Sequence, residues 1–350
     1  MIRYIALFVT VFNLLEIGQC LPTVSNKSLD KIWQIPQKDG SFRWMTLDEA
    51  VKEASAYESQ ESSTKKFNKV RFFLYTPDNS TKAIEIDKDD PETLARSTFN
   101  YKNPTRFYIH GWNGGYNLSD ARLIREALLL QGSDRQFNFI AVDWSVYGES
   151  ITYITSQTSV SKAGKIVAEF IDWMHDSAKL SFDTLALYGH SLGAHVVGFT
   201  GKNVKHGRVH TIIGLDPAMP LFNYNKPNSR LAETDGDYVE TIHTNGGMLG
   251  FYQPIGRASF YPNGGKNQPG CGLDMSCSHG RSVEYLAEAL ALSKDNGFNA
   301  LKCKDFEDVQ NASCTISKED VRLGQPSNAQ YAKGYYYLKT NSQSPYGVKS

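Results

Sequence analysis

Apolar and polar positions fall into blocks of two kinds along this chain. Short, almost continuously apolar runs predict buried strands at Val70–Tyr75, Arg106–His110, Phe137–Trp144, Thr184–Tyr188, His210–Leu215 and Tyr238–His243. Between and after them lie stretches whose apolar residues recur at helical spacing. The longest predicted helix runs from about Ser159 to Ser177, with Ala163, Ile166, Val167, Phe170 and Ile171 on one face. Shorter helices are predicted from Leu192 to about Phe199 and from Arg281 to about Lys294. Strands alternating with helices, each strand apolar on both faces, predict an α/β fold with a mostly parallel central sheet covered on both sides. Neither an internal repeat nor a low-complexity tract interrupts the pattern, so a single domain is expected over about residues 67–340.

The N-terminus breaks this pattern. Arg3 precedes an apolar stretch from Ile5 to Ile17, and Gly18-Gln19-Cys20 gives the small-x-small spacing of a cleavage site, so residues 1–20 read as a secretory signal. A membrane anchor is the alternative, but the stretch is short and carries Asn13 and Glu16. Residues 21–66 form a polar extension with one helical piece, Thr46–Ala54, in which Thr46 and Glu49 have capping-box spacing. The polar run Glu58–Lys66 closes it like a linker. Both a pro-segment removed at Lys65-Lys66 and a packed N-terminal arm fit that sequence.

Composition narrows the function. Apolar residues make up 41% and charged residues 21%, ordinary values for a folded globular chain. Lys+Arg and Asp+Glu balance at 37 each, so no field draws in nucleic acid or an anionic membrane. A secreted, extracellular location also suits the cysteines. If Cys20 leaves with the signal, Cys271, Cys277, Cys303 and Cys314 remain. Three pairings are open to them, and proximity favours Cys271–Cys277 with Cys303–Cys314. Sequons at Asn26, Asn79, Asn117 and Asn311 are compatible with secretion.

The chemistry is carried by three segments. Gly189-His190-Ser191-Leu192-Gly193 is a Gly-x-Ser-x-Gly between a predicted strand and a predicted helix. That context makes a sharp turn lifting the Ser191 hydroxyl above the sheet edge. A serine attacks only if a base takes its proton and a buried acceptor orients that base. Asp216, in Leu215-Asp216-Pro217, sits just past the next strand and follows the nucleophile, as the hydrolase order requires; the plainer reading is a turn aspartate before proline. His279 comes after the acid and near the start of a helix. His110, His175, His206 and His210 precede the acid, and His190 and His195 flank the nucleophile as structural candidates. His243, inside a strand, is the competing base. For the oxyanion, the Leu192 N–H follows the nucleophile, and Trp112 in His110-Gly111-Trp112 lies in the early strand-to-helix loop that supplies the second donor.

With these residues in place, the chain resembles the pancreatic-lipase-like family, and within it the secreted insect lipases and phospholipases A1. The resemblance covers about Val70 to Lys302. It rests on Tyr108-Ile109-His110-Gly111-Trp112, Gly189–His195, Gly214-Leu215-Asp216-Pro217-Ala218, Ile242-His243-Thr244, Phe260–Gly265 and Cys277-Ser278-His279. It implies the α/β-hydrolase fold, a Ser191–Asp216–His279 triad, Trp112 and Leu192 as oxyanion donors, and Cys271–Cys277 as the disulfide bracketing the lid. The implied substrate is a phospholipid or acylglycerol at a lipid–water interface, with no cofactor.

Departures from the family refine that picture. Only Gly272–Ser276 separates Cys271 from Cys277, where triglyceride lipases of the family carry a long lid, and the stretch from His243 to Cys271 is also trimmed. Both features resemble members that cleave the sn-1 ester, so phospholipase A1 ranks above a triacylglycerol or galactolipid lipase. No β-sandwich domain follows, so colipase docking is not expected; a monomer is expected as well. Ala232 stands where the family's calcium loop has an acid, so no calcium requirement is expected. Two other classes compete: a non-catalytic yolk or lipid-binding homologue, and a serine protease. The complete triad argues against the first, and the Ser–Asp–His order against the second.

Overall fold

Residues 32–61, 70–130, 136–145, 152–292, 297–315 and 320–348 are described by a computed structural model of the protein. The proposed signal, the first sequon and Lys65-Lys66 lie outside the described residues. From Ile32 onward the chain forms one compact unit.

The described chain starts with an antiparallel hairpin, β1 (Trp33–Pro36) and β2 (Phe42–Met45), followed by α1 (Leu47–Glu61). Thr46 and Glu49 do form a capping box: Glu49 Oε2 accepts the Thr46 N–H at 2.7 Å and Thr46 Oγ1 accepts the Glu49 N–H at 3.2 Å.

The main sheet comprises β3 (Arg71–Thr76), β4 (Asn79–Ile86), β5 (Thr105–Ile109), β6 (Asn138–Asp143), β7 (Ala186–His190), β8 (Thr211–Leu215), β9 (Tyr238–Ile242), β10 (Ala258–Pro262), β11 (Leu301–Cys303) and β12 (Gly334–Leu338). They lie in the order β11-β12-β10-β9-β8-β7-β5-β6-β3-β4. The run β6-β5-β7-β8-β9-β10-β12 is parallel, and the strands at the two edges are antiparallel. The helices after α1 are α2 (Glu92–Ala95), α3 (Ser119–Leu129), α4 (Tyr153–Ala178), α5 (Leu192–Asn203), α6 (Met275–Ala291), α7 (Phe306–Asn311) and α8 (Asn328–Tyr331).

Successive strand residues feed two separate cores, as period-2 side chains must. Phe72, Leu74, Phe107, Ile109, Ile140 and Val142 point to the side of α4, α5 and the N-terminal arm. Phe73, Tyr75, Tyr108, Phe139 and Ala141 point to the side of α3 and α6. Helices therefore cover both faces of a mostly parallel sheet, and the strand order is that of an α/β-hydrolase fold. At each parallel strand's carboxyl end the chain leaves the sheet, and these ends gather the reactive side chains.

Several boundaries differ from the sequence expectation. Helix α4 begins at Tyr153 rather than Ser159, because Tyr153, Ile154, Thr155 and Ser156 are also buried, polar residues included. Helix α6 begins at Met275 rather than Arg281, so His279 lies inside it. The strand expected over Thr184–Tyr188 runs over Ala186–His190, since Phe182–Thr184 is taken up by a 3₁₀ turn. Strand β4, with polar residues on its exposed face at the sheet edge, gave no apolar run to detect.

Candidate active site

The turn at Ser191 is built by steric necessity. Strand β7 ends at His190, Ser191 takes φ 57° and ψ −120°, and α5 starts at Leu192. Positive φ is a conformation that side-chain-bearing residues rarely adopt, and it persists only where the surroundings enforce it. Here they do. A β-carbon at Gly189 would lie 2.3 Å from the Gly193 carbonyl oxygen, and one at Gly193 would lie 2.2 Å from the Ile109 oxygen. Only glycine lets strand and helix approach this closely, which fixes Ser191 at the crest.

Asp216 follows β8 directly, again at positive φ (38°), and is fully buried. Its Oδ1 accepts the N–H groups of Thr244 at 2.7 Å and Asn245 at 3.0 Å, and its Oδ2 faces His279 Nδ1 at 2.5 Å. A carboxylate removed from water needs such donors, and the pair of backbone N–H groups locks its plane. His279 itself sits one turn into α6. Asp274 caps that helix by accepting the Cys277 N–H at 3.1 Å, and a disulfide ties Cys277 to Cys271 across a Cα separation of 5.5 Å. The imidazole is thus held at both its backbone and its Nδ1.

With Nδ1–H given to Asp216, Nε2 is left as the basic nitrogen. Ser191 and His279 line one cavity of about 360 Å³, together with Trp112, Tyr153, Asp120 and Leu249. The Ser191 hydroxyl makes no hydrogen bond among the described residues. Catalytic contacts of this kind commonly tighten only when substrate binds. The His110–Gly115 loop lies against Ser191, since a β-carbon at Gly111 would come 2.9 Å from the Ser191 β-carbon. Leu192 opens α5, where backbone N–H groups lack intrahelical acceptors.

Burial pushes the His279 pKa below the ordinary imidazole value, and the neighbouring His190 lowers it further, while Asp216 pulls the other way. A base must be neutral to accept a proton. If His279 is the base, the acid limb of the kcat/KM profile should therefore fall at an apparent pKa below about 6.5, the free imidazole value. A pH–rate series on a soluble ester checks this, and a limb above that value would contradict it.

The other histidines separate by position. His243 is fully buried, with Nδ1 donating to the Phe251 carbonyl at 2.7 Å and Nε2 at 2.9 Å from Thr241 Oγ1, and it stacks on Tyr261. His195 is equally buried, between the Ala218 oxygen and the Leu231 N–H. Burial depresses their pKa values to about 4 and about 3, respectively, so both are neutral structural rings. His190, expected to be purely structural, instead lines the cavity. Its ring lies 4.6 Å from that of His279, and its Nδ1 is 3.4 Å from Asp120 Oδ2. Asp120 carried no sequence signal; only folding α3 against the cavity reveals it.

These features agree with what the chain is similar to. Residues 44–346 match the family model described as Lipase. The chain belongs to the lipase family. It is 33% identical over 307 residues to lipoprotein lipase of Neovison vison, covering 79% of this chain and 63% of that protein. It is 34% identical over 297 residues to Lipase member H-B of Xenopus laevis, covering 81% of this chain and 61% of that protein. A third relative, Lipase member H of Xenopus tropicalis, is 35% identical over 277 residues, covering 75% and 57%. The chain thus spans about three fifths of the length of the curated relatives it matches.

Two further segments singled out in the sequence can be placed. The Cys271–Cys277 segment is a tight loop whose Leu273 side is 95% exposed, and of its residues only Ser276 reaches the cavity. In the segment that resembles the lipase calcium loop, the Asp235 carboxylate is ion-paired with the Lys202 ammonium and accepts the Ala232 N–H at 2.9 Å. An ammonium occupies the acid's free side. Among the described residues, no group of three or more His, Cys, Asp or Glu is placed to hold a metal ion.

Proposed function

We propose that the protein is a secreted serine carboxylester hydrolase acting on lipids, with Ser191 as nucleophile, His279 as base and Asp216 as the orienting acid. The observation that carries this reading is the buried Asp216–His279 contact opening onto the same cavity as Ser191. His279 Nε2 removes the hydroxyl proton as Ser191 Oγ attacks the ester carbonyl. Asp216 keeps Nδ1–H in place and stabilises the imidazolium that forms. The N–H groups of Trp112 and Leu192 receive the oxyanion, and His279 returns the proton to the departing alcohol. Water then repeats the sequence on the acyl-enzyme, releasing the fatty acid.

The favoured substrate is a phospholipid cleaved at its sn-1 ester, because a lid as short as Gly272–Ser276 cannot cover a wide apolar cleft. The signal-like sequence pattern of residues 1–20 supports an extracellular location, and no helix of the described residues is long and apolar enough to cross a membrane. Residues 32–61 fit a retained arm better than a discarded pro-segment, since Trp33, Ile35, Met45, Ala50 and Ala54 are buried in the core. With Lys202 placed on Asp235, no calcium ion is required in this reading.

Phosphatidylcholine carrying distinct acyl chains, assayed beside a triglyceride, tests the assignment. Release of the sn-1 fatty acid is expected. Release from sn-2 alone, or cleavage of the triglyceride alone, would overturn phospholipase A1 while leaving the esterase reading in place. No hydrolysis of either would favour a yolk-type lipid-binding role.

A further inference from the structure

The N-terminal hairpin reaches the reactive centre. Pro36, Gln37, Lys38, Gly40 and Phe42 line the cavity that holds Ser191 and His279. These positions follow from the pairing of the strands. Trp33 pairs with Met45, Ile35 with Arg43, Pro36 with Phe42 and Gln34 with Trp44. Alternation places Trp33, Ile35 and Met45 on one face, where all three are buried in the main core. Phe42 and Trp44 share the other face. Phe42 is partly covered at the cavity and Trp44 is 64% exposed two residues on. The hairpin is thus glued to the body by one face and offers an aromatic track on the other.

Its turn is rigid as well as close. Gln37 N–H donates to the Ser41 carbonyl at 2.9 Å, Gly40 N–H to the Gln37 carbonyl at 3.0 Å, and Asp39 Oδ1 accepts both the N–H and the hydroxyl of Ser41. Gly40 takes the positive φ of 82° that closes the turn. Helix α1 then packs against α4, and Arg43 pairs with Glu53 to fasten strand to helix. By contrast the Cys271–Cys277 loop, where a lid is expected, turns Leu273 outward and gives the cavity one serine.

We infer that the β1–β2 hairpin is the acyl-chain wall of the active-site cleft, with Phe42 and Pro36 contacting the chain beyond the ester and Trp44 at the rim. The apolar residues Trp112, Tyr153, Pro220 and Leu249 line this cavity as well, beside the polar Asn113, Ser119 and Asp120, so a hydrocarbon chain leaving Ser191 finds apolar surface beyond the hairpin too. Lys38, although it lines the cavity, is exposed together with Asp39 at the tip of the turn, whereas Phe42 and Pro36 are partly covered. An acyl chain, rather than a polar headgroup, is therefore the occupant that matches Phe42. This inference rests on the esterase reading above.

The test compares kcat/KM for p-nitrophenyl butyrate and p-nitrophenyl palmitate in the full-length protein and in Phe42→Ala and Phe42→Leu. Removing the ring should lower the palmitate value by about tenfold through KM, and leave butyrate within about twofold. Phe42→Leu, which keeps apolar bulk and guards against a folding defect, should recover most of the palmitate value. Equal losses on both esters, or no loss on either, would overturn the wall. An altered preference between phosphatidylcholine and a triglyceride at unchanged chain-length preference would assign the hairpin to the headgroup instead. Absence of wild-type labelling by a fluorophosphonate would mark failure of the esterase reading itself.

Discussion

Replacing Ser191 with alanine is expected to lower kcat for ester hydrolysis by roughly 10⁶-fold, the scale seen when a serine hydrolase loses its nucleophile. The folded state should persist. Ser191 makes no side-chain hydrogen bond among the described residues, and its turn is held by Gly189, Gly193 and the Ser191 N–H donating to the Leu215 oxygen at 2.9 Å. Initial rates on a soluble ester, with a thermal melt beside them, separate chemistry from folding. A variant retaining more than about one hundredth of the wild-type rate would point to another nucleophile.

Changing Asp216 to asparagine should cost about 10⁴-fold in kcat and some stability as well. The carboxylate faces three donors: the N–H groups of Thr244 and Asn245, and His279 Nδ1. An amide offers one acceptor oxygen. If that oxygen stays with the backbone donors, the amide nitrogen meets His279 Nδ1 and forces the ring to carry its proton on Nε2, the nitrogen that must accept the Ser191 proton. If the amide turns over, buried N–H groups lose their acceptor, a cost of about 1–3 kcal/mol. Loss of rate with a modest drop in melting temperature is the expected pair of results. A near-normal rate would remove Asp216 from the catalytic chain.

Much of the site could be read along the chain because its geometry is dictated locally. Gly189 and Gly193 bracket Ser191 since no other residue fits the strand-to-helix approach, and Asp216 follows its strand directly. The apolar runs of β3, β5 and β6 announced themselves because both faces of those strands are buried. Other features have no linear signature. The Thr244 and Asn245 N–H groups that hold Asp216 depend on backbone position, which the residue types do not encode. Gly250 is one trace of that pocket, because a β-carbon there would sit 2.4 Å from the Asp216 carboxylate. Asp120 reaches His190 across 70 residues of sequence, and the hairpin reaches Ser191 across about 150, so only tertiary folding brings them together. The early start of α6 has no apolar signature, because Met275–Gly280 is mostly polar and Gly280 sits inside the helix.

Mapping the adduct of a fluorophosphonate probe most directly tests whether Ser191 is activated by His279. In the folded protein the probe should modify the peptide containing Ser191 at one site, and His279→Ala should slow that labelling by at least about 10³-fold. Labelling on another serine, or labelling of Ser191 at an unchanged rate without the imidazole, would contradict the account.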